Sequence, residues 1–370
     1  MRLCFLGDIR SIHTKRWIEY FAENNEVHLI SLDYLDYDTA QISEDEYISI
    51  GVKVHFIPKK WYILPFAPLL FKRIVDSIKP DILHAHYVTQ YGFCGSFCGC
   101  HPYIVSAWGS DVLVDPKKSF FLKFAVKFAL KSADMITCDG MNSRDEIVSL
   151  EDSSSKVILI NHGIDTDKFS PERMNRAHFE DTFGSGVKTV LYTRGFREIY
   201  NAETLIRAIP LILDIVPQSR FIICGKGHEE DKIRRFADDL GVSDYIYYAG
   251  WVAHDELPIL YASSDVYVST SLSDGGMAVG TLEAMSCGLV PVVTEGGDNR
   301  HWITDGENGF IIPLRDPEIL AEKVIFLLRD DEIRKQFAKM NRSLIIECAD
   351  YHNEMNKVDE IYRRLLKERN

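Results

Sequence analysis

No stretch of the chain approaches the roughly 18 consecutive apolar residues of a membrane-crossing helix. The opening decapeptide, MRLCFLGDIR, has too short an apolar run for a secretory signal and reads as a first buried strand. Both absences lead us to expect a cytoplasmic protein. Positive charge is scarce: 42 Lys and Arg stand against 55 Asp and Glu, for a formal net charge of −13. That argues against nucleic acid as the main partner, because phosphate backbones are held by a basic field, although local basic patches stay open. A metal centre lacks ligands. Cys94, Cys98, Cys100 and His101 cluster, but no second group completes a set of four, and Gly92, Gly95, Ser96 and Gly99 suit a closely packed helix face instead. The dinucleotide fingerprint is incomplete, since Gly225-Lys226-Gly227 is not followed by its third glycine, which makes a nicotinamide dehydrogenase the weakest enzyme reading.

What the sequence does have is alternation. Apolar strand-like runs at 2–7, 26–32, 52–57, 81–85, 103–107, 135–138 and 157–160 are separated mostly by amphipathic helical stretches. This pattern predicts an α/β architecture, an open parallel sheet with helices on both faces. The pattern pauses at 165–186, a polar stretch with Pro171, Gly184 and Gly186, and resumes with strands at 188–193, 220–224, 245–248, 266–269 and 290–293. Helices are expected at 317–329, 332–347 and 353–367. The 370 residues exceed what one core usually serves. We expect a first domain at 1–168, a linker at 169–186, a second domain at 187–345, and a terminal helix at 346–370 that packs back on the first.

The segment 271–293, SLSDGGMAVGTLEAMSCGLVPVV, carries the strongest chemical signal. A strand leads into a loop with Asp274, Gly275, Gly276, Met277 and Ala278, and a helix starts near Val279. Glycines admit a ligand close to the backbone, and a helix amino end offers unpaired N–H groups and partial positive charge, which suits a pyrophosphate. Glu283, one turn in, is placed to accept hydrogen bonds from a ribose diol. The residues alone fit equally a Gly-rich strand–helix turn with a dipole-facing glutamate.

The segment resembles the donor-site motif of retaining glycosyltransferases of family 4, above all in its Glu-Ala-Met-x-Cys-Gly-x-x-Pro-Val-Val ending. Other segments resemble that family in order and spacing: PDILHAH (80–86), SAWGSD (106–111), NHGIDTDKFSP (161–171), the strand ends at Gly225–Gly227 and Gly250–Leu260, and DGENGF (305–310). The resemblance implies the GT-B fold: two Rossmann-like, doubly wound domains facing across a cleft, the first binding the acceptor and the second the donor. It implies transfer, with retention, from a nucleoside-diphosphate sugar (a UDP-sugar favoured, GDP-mannose the alternative) to a glycan or lipid-linked acceptor. No cofactor and no essential metal are expected. Asp36-Tyr37-Asp38 and Asp165-Thr166-Asp167 read as coincidental matches to a metal-binding Asp-x-Asp.

Departures from the family pattern sharpen the candidates. Its first motif glutamate falls at Gly275, so either Asp274 serves or backbone amides of 275–278 do. The family's diphosphate-binding Arg and Lys have no exact match; Arg194 and Arg197 are the available cations, each able to grip phosphate with two N–H groups. Trp108 replaces a family His and either stacks on a sugar or joins the core. Asp111 either binds acceptor hydroxyls or caps a helix. Gly7, Asp8, Arg10 and His13 form the first-domain glycine loop, and His86 is expected at a strand end facing the cleft as a catalytic group. The catalytic set is thus Arg194, Arg197, Glu283 and His86. Gly225, Gly250, Trp251 and 274–279 join Glu283 on the donor side. Asn299 and Arg300 occupy a loop bearing on sugar selection.

Two stretches, 59–73 and 117–131, combine apolar residues with Lys and Arg. In the second, Phe120, Phe124 and Phe128 share one helical stripe and Lys123, Lys127 and Lys131 another. Either these are core stripes with a solvated basic edge, or they rest on an anionic membrane surface. Two other functions compete with the transferase: a nucleotide-sugar epimerase, which needs no acceptor, and a binding protein that has lost turnover.

Overall fold

A computed structural model describes residues 1–33, 43–58, 62–151, 154–273 and 278–369. They form two compact units, Met1–His162 with Asn353–Asn370, and Gly163–His352. The first holds β1 (Arg2–Leu6), β2 (Glu26–Asp33), β3 (Lys53–Pro58), β4 (Ile82–His86), β5 (Tyr103–Ala107), β6 (Met135–Cys138) and β7 (Val157–Leu159). Their order is β3-β2-β1-β4-β5-β6-β7, all parallel. The second holds β8 (Lys188–Tyr192), β9 (Ser219–Cys224), β10 (Ile246–Gly250), β11 (Val266–Ser269), β12 (Val290–Thr294) and β13 (Phe310–Ile312), ordered β10-β9-β8-β11-β12-β13 and again parallel.

The apolar runs follow from this arrangement. A parallel sheet with helices on both faces buries both sides of each strand, so strands read as near-continuous apolar stretches rather than alternating ones. Every residue of β4, β5, β6, β11 and β12 is buried. In each sheet the order of strand addition reverses once, between β1 and β4 and between β8 and β11, and ligands of such sheets settle beyond the strands' carboxyl ends at the reversal.

One expectation needs correction. Residues 169–186 are not a linker: they fold within the second unit as a turn, Pro171–Arg173, and a helix, Arg176–Phe183, and Phe169 and Phe179 enter its core. A polar sequence concealed an amphipathic helix with few apolar anchors. The strand β13, only three residues, was too short to stand out. The last helix, Tyr351–Arg369, carries its residues from Asn353 onward into the first unit. There Tyr362 lies 4.9 Å from the Phe21 ring, its hydroxyl 2.5 Å from His84 Nδ1, and Tyr20 donates to Asn356 Oδ1 at 2.6 Å.

Candidate functional site

In the second unit, the loops leaving β8, β9 and β10 meet backbone to backbone. Gly225 N–H donates to the Gly250 carbonyl at 2.5 Å, and Gly195 N–H to the Cys224 carbonyl at 3.2 Å. A Cβ on Gly225 (φ 111°) would lie 2.5 Å from Gly195 Cα, and one on Gly227 would lie 2.0 Å from the Phe196 carbonyl oxygen. Only glycine permits that approach. Trp251, next after β10, is 57% exposed.

The helix Val279–Ser286 begins over a cluster of hydroxyls. Thr193 Oγ1 and Tyr261 OH are 3.0 Å apart, and a Cβ on Gly280 would come within 3.2 Å of the Tyr261 and Tyr267 hydroxyls. Ala278 is buried at the helix start, while Asp274, Gly275, Gly276 and Met277 lie outside the described residues. Glu283 is buried. Its Oε1 is 2.8 Å from His254 Nε2, and its Oε2 accepts from Tyr261 OH at 3.4 Å. Lys168 Nζ lies 3.0 Å from His254 Nδ1 and 2.6 Å from Asp255. An ammonium cannot accept, so Nδ1 must, which leaves the proton on Nε2 to donate to Glu283. The His254 ring also packs on Phe169, at 5.1 Å between centroids.

Arg194 and Arg197 share one aromatic support. Their guanidinium carbons lie 4.6 and 5.9 Å from the Tyr200 ring centroid. Arg194, half-buried, also donates from Nε to Ser271 Oγ at 3.2 Å, at the end of β11. Arg197 is exposed and lines a groove of about 810 Å³ with Arg207, Lys232 and Arg315. Asn299 is buried and donates to the Thr294 carbonyl, which braces its own loop, and Arg300 pairs with Glu295 at 3.0 Å.

The first unit furnishes its reversal differently. Asp8 and Arg10, expected on the acceptor side, pair with each other at 2.9 Å. Beyond Gly7 lies a cluster of rings. His13 stacks on His162 at 4.0 Å, and Trp108 stands 5.7 Å from each of them and 4.8 Å from His86. Phe5 and Trp17 close the far side of His86 at 5.3 and 5.2 Å. His86 is corrected from a cleft-facing group to a buried one: it is 1% exposed, and neither ring nitrogen has a hydrogen-bond partner among the described residues. Burial, reinforced by His84, His162 and His13, holds it well below the usual histidine range. Burial does the same to His13, helped by His162 and Arg16, and lowers His84 to about 3. His13 and Trp108 remain half-buried, so they carry the cluster to the surface.

Asp111 is also corrected. It is fully buried, which keeps it from an acceptor, and its two oxygens accept from Val88 N–H at 2.7 Å and Trp108 N–H at 3.0 Å. Desolvation outweighs these bonds and pushes its carboxyl up to about 7. Its task is to fix the backbone that aims Trp108.

Sequence reasoning missed several partners. His254 lies within the matched segment 250–260, but nothing in its spacing pairs it with Glu283. His162 holds the asparagine position of the Asn-Gly-Val-Asp signature, and that departure was the available signal; its Nε2 is 3.3 Å from Asp139 Oδ2. Trp17 follows His13 by four residues on the helix Ile12–Ala22, a spacing that puts both on one face. Among the described residues, no group of three His, Cys, Asp or Glu is arranged to hold a metal ion.

Residues 174–344 match the family model of glycosyl transferases group 1, and residues 2–140 that of glycosyl transferase 4-like proteins. The chain belongs to the group 1 glycosyl transferases. Its fold is GT-B: the structure of Anabaena HepE in complex with UDP superposes with a TM-score of 0.83, covering 99% of this chain and 100% of that one at 17% identity. A GDP-mannose-dependent phosphatidylinositol monomannoside mannosyltransferase of Mycolicibacterium smegmatis is 27% identical over 205 residues, about half of each chain (54% of both). The N-acetyl-alpha-D-glucosaminyl L-malate synthase of Bacillus anthracis is 23% identical over 297 residues, 78% of this chain and 76% of the relative.

Proposed function

We propose that this group 1 glycosyltransferase moves a hexose from a nucleoside-diphosphate sugar to a glycan or lipid-linked acceptor, with retention and without an essential metal. The observation that carries the reading is the reversal point of the second sheet. There a glycine-built junction of three loops, the start of the helix Val279–Ser286, two cations on Tyr200 and a buried carboxylate converge. Helix N–H groups and the guanidinium groups of Arg194 and Arg197 would stabilise charge developing on the departing diphosphate. Glu283, its Oε1 already accepting from His254, would take the ribose hydroxyls. With the leaving group stabilised in this way, retention needs no carboxylate nucleophile, and the donor phosphate receives the acceptor proton. UDP-sugars and GDP-mannose are the donors to test first, in view of the UDP bound by HepE and the donor named for the mycobacterial relative.

The test is thermal stabilisation by UDP-, GDP- and ADP-sugars, followed by release of nucleoside diphosphate with and without acceptor extract, in EDTA. Stabilisation with acceptor-dependent release is expected. No stabilisation by any nucleotide sinks the proposal, release without acceptor points to an epimerase or hydrolase, and loss of turnover in EDTA refutes metal independence.

A further inference from the structure

The helix Phe120–Ser132 turns Ala125, Val126, Ala129 and Leu130 into the first unit's core. At 3.6 residues per turn, Phe120 and Phe124 then face outward, and Phe128 flanks them half-buried. Phe120, Phe121 and Phe124 are 87%, 64% and 53% exposed, and Lys123, Lys127 and Lys131 are exposed among them. The aromatic stripe is therefore not core. It continues sideways through ring contacts, Phe121 to Phe93 at 6.2 Å and Phe93 to Phe97 at 5.1 Å. Phe93 begins the short helix Phe93–Gly95, which packs beside the helix Ala67–Ile78, where Phe66 and Leu69 are 60% and 65% exposed. Residues 59–61 of that neighbouring basic stretch lie outside the described residues.

Apolar rings left in water in such number mark a contact surface, and charge selects what covers it. Residues 117–131 hold five lysines and no acid in a chain of net charge −13. Of these, Lys118 is paired with Asp115, just outside the stretch. A second copy would bring the same positive face against itself. An anionic bilayer offers both terms at once: a boundary layer that receives aromatic rings, and headgroups that attract lysine. The placement agrees. Helices joining parallel strands run back against them, so the amino ends bearing Phe66 and Phe120 lie at the strands' carboxyl ends, the end where His13 and Trp108 reach the surface. No described helix is long and apolar enough to cross a membrane.

We infer that this face docks the chain on an anionic lipid surface, which delivers a lipid-held acceptor to the first unit. The delivery clause rests on the transferase reading; the docking does not, and it is measured without donor or acceptor. The experiment is cosedimentation of the full chain with phosphatidylglycerol–phosphatidylcholine vesicles and with pure phosphatidylcholine, at low and high salt. Binding to the anionic vesicles alone, weakened by salt, is expected. It should fall at least tenfold in a Phe120→Ser, Phe121→Ser, Phe124→Ser variant and in Lys123→Glu, Lys127→Glu, both melting as the parent does and still stabilised by nucleotide. Phe124→Trp, which keeps the surface intact, should blue-shift its emission on these vesicles. Failure of the parent to bind anionic vesicles, or a parent dimer that the serine variant dissolves, overturns the inference. Loss of nucleotide stabilisation in the parent would instead strike at the transferase reading.

Discussion

The two units arrange their central strands in the same order, yet they furnish the two reversal points with opposite chemistry. The second unit builds its end from glycine contacts, hydroxyls and a carboxylate, and the polar groups around Glu283 answer one another through Lys168, His254 and Tyr261. The first unit packs histidine and tryptophan rings together and leaves nitrogens of His13, His86 and His162 without partners among the described residues. Polar cradles of the first kind suit a fixed anionic ligand such as a diphosphate. An aromatic face with a few unspent polar atoms suits the faces and hydroxyls of a sugar, and it charges the fold for keeping those atoms buried.

Acid should separate the two ends most sharply. The unfolded chain's histidines take up protons below about 6.5, which the folded His13, His84 and His86 refuse. The stability they hold above that pH is therefore lost as pH falls, about 1.4 kcal/mol per pH unit for each ring. Asp111 works the other way. Its folded value, about 7, lies above its unfolded one, so it adds stability as pH falls between about 7 and about 4. Three rings against one carboxyl leave a net loss of about 3 kcal/mol per pH unit. The histidines of the second unit whose side chains are described are exposed. Hydrogen exchange between pH 7.5 and 5 should show the first unit loosening first, and the reverse order would break the comparison.

Next in size is the glycine junction. Gly227→Val places side-chain carbon on the Phe196 carbonyl and should cost about 1–3 kcal/mol in chemical denaturation. Nucleotide stabilisation should vanish with it. A valine variant that keeps full nucleotide binding would show that the close approach of these loops is dispensable to the site.

The glycines could be read from the sequence because their meaning is local: a strand end, a tight turn, a helix start. The α/β alternation was legible for the same reason, since two-sided burial writes itself as apolar runs. Partnership was not legible. His254 and Glu283 are joined by the fold across 29 positions, and no spacing rule reaches that far. The phenylalanine stripe shows a third limit. Periodicity says that Phe120, Phe124 and Phe128 share a face, but which face is covered depends on the helices beside it. Asp111 was left open between capping and binding, and the decision came from two backbone N–H groups, one of them 23 residues away.

Glu283→Ala tests the polar end more finely. It removes the acceptor for His254 together with the proposed ribose contact, and nucleotide affinity should weaken about 10- to 100-fold, or about 1.4–2.8 kcal/mol by titration calorimetry. Unchanged affinity would leave Glu283 as a brace for His254 alone.

The smallest expected effect distinguishes the two arginines. Arg194 is held by Ser271 at the end of β11 and by the Tyr200 ring, so its guanidinium is positioned before any ligand arrives. Arg197 is exposed and stands farther from the same ring. Preorganised charge stabilises a transition state without paying for reorganisation, so Arg194→Ala should lower kcat about 100-fold, the loss typical of removing one such donor. Arg197 must be gathered in by the ligand, which spends part of its attraction on ordering the side chain. Arg197→Ala should therefore lower kcat only about three- to tenfold, an energy of about 0.7–1.4 kcal/mol, and Arg197→Lys should recover most of it, since an unpositioned cation acts by charge more than by its fork. Equal losses from the two alanine variants would mean that the Ser271 contact contributes nothing, and that the second unit's end is less preorganised than its hydrogen bonds imply.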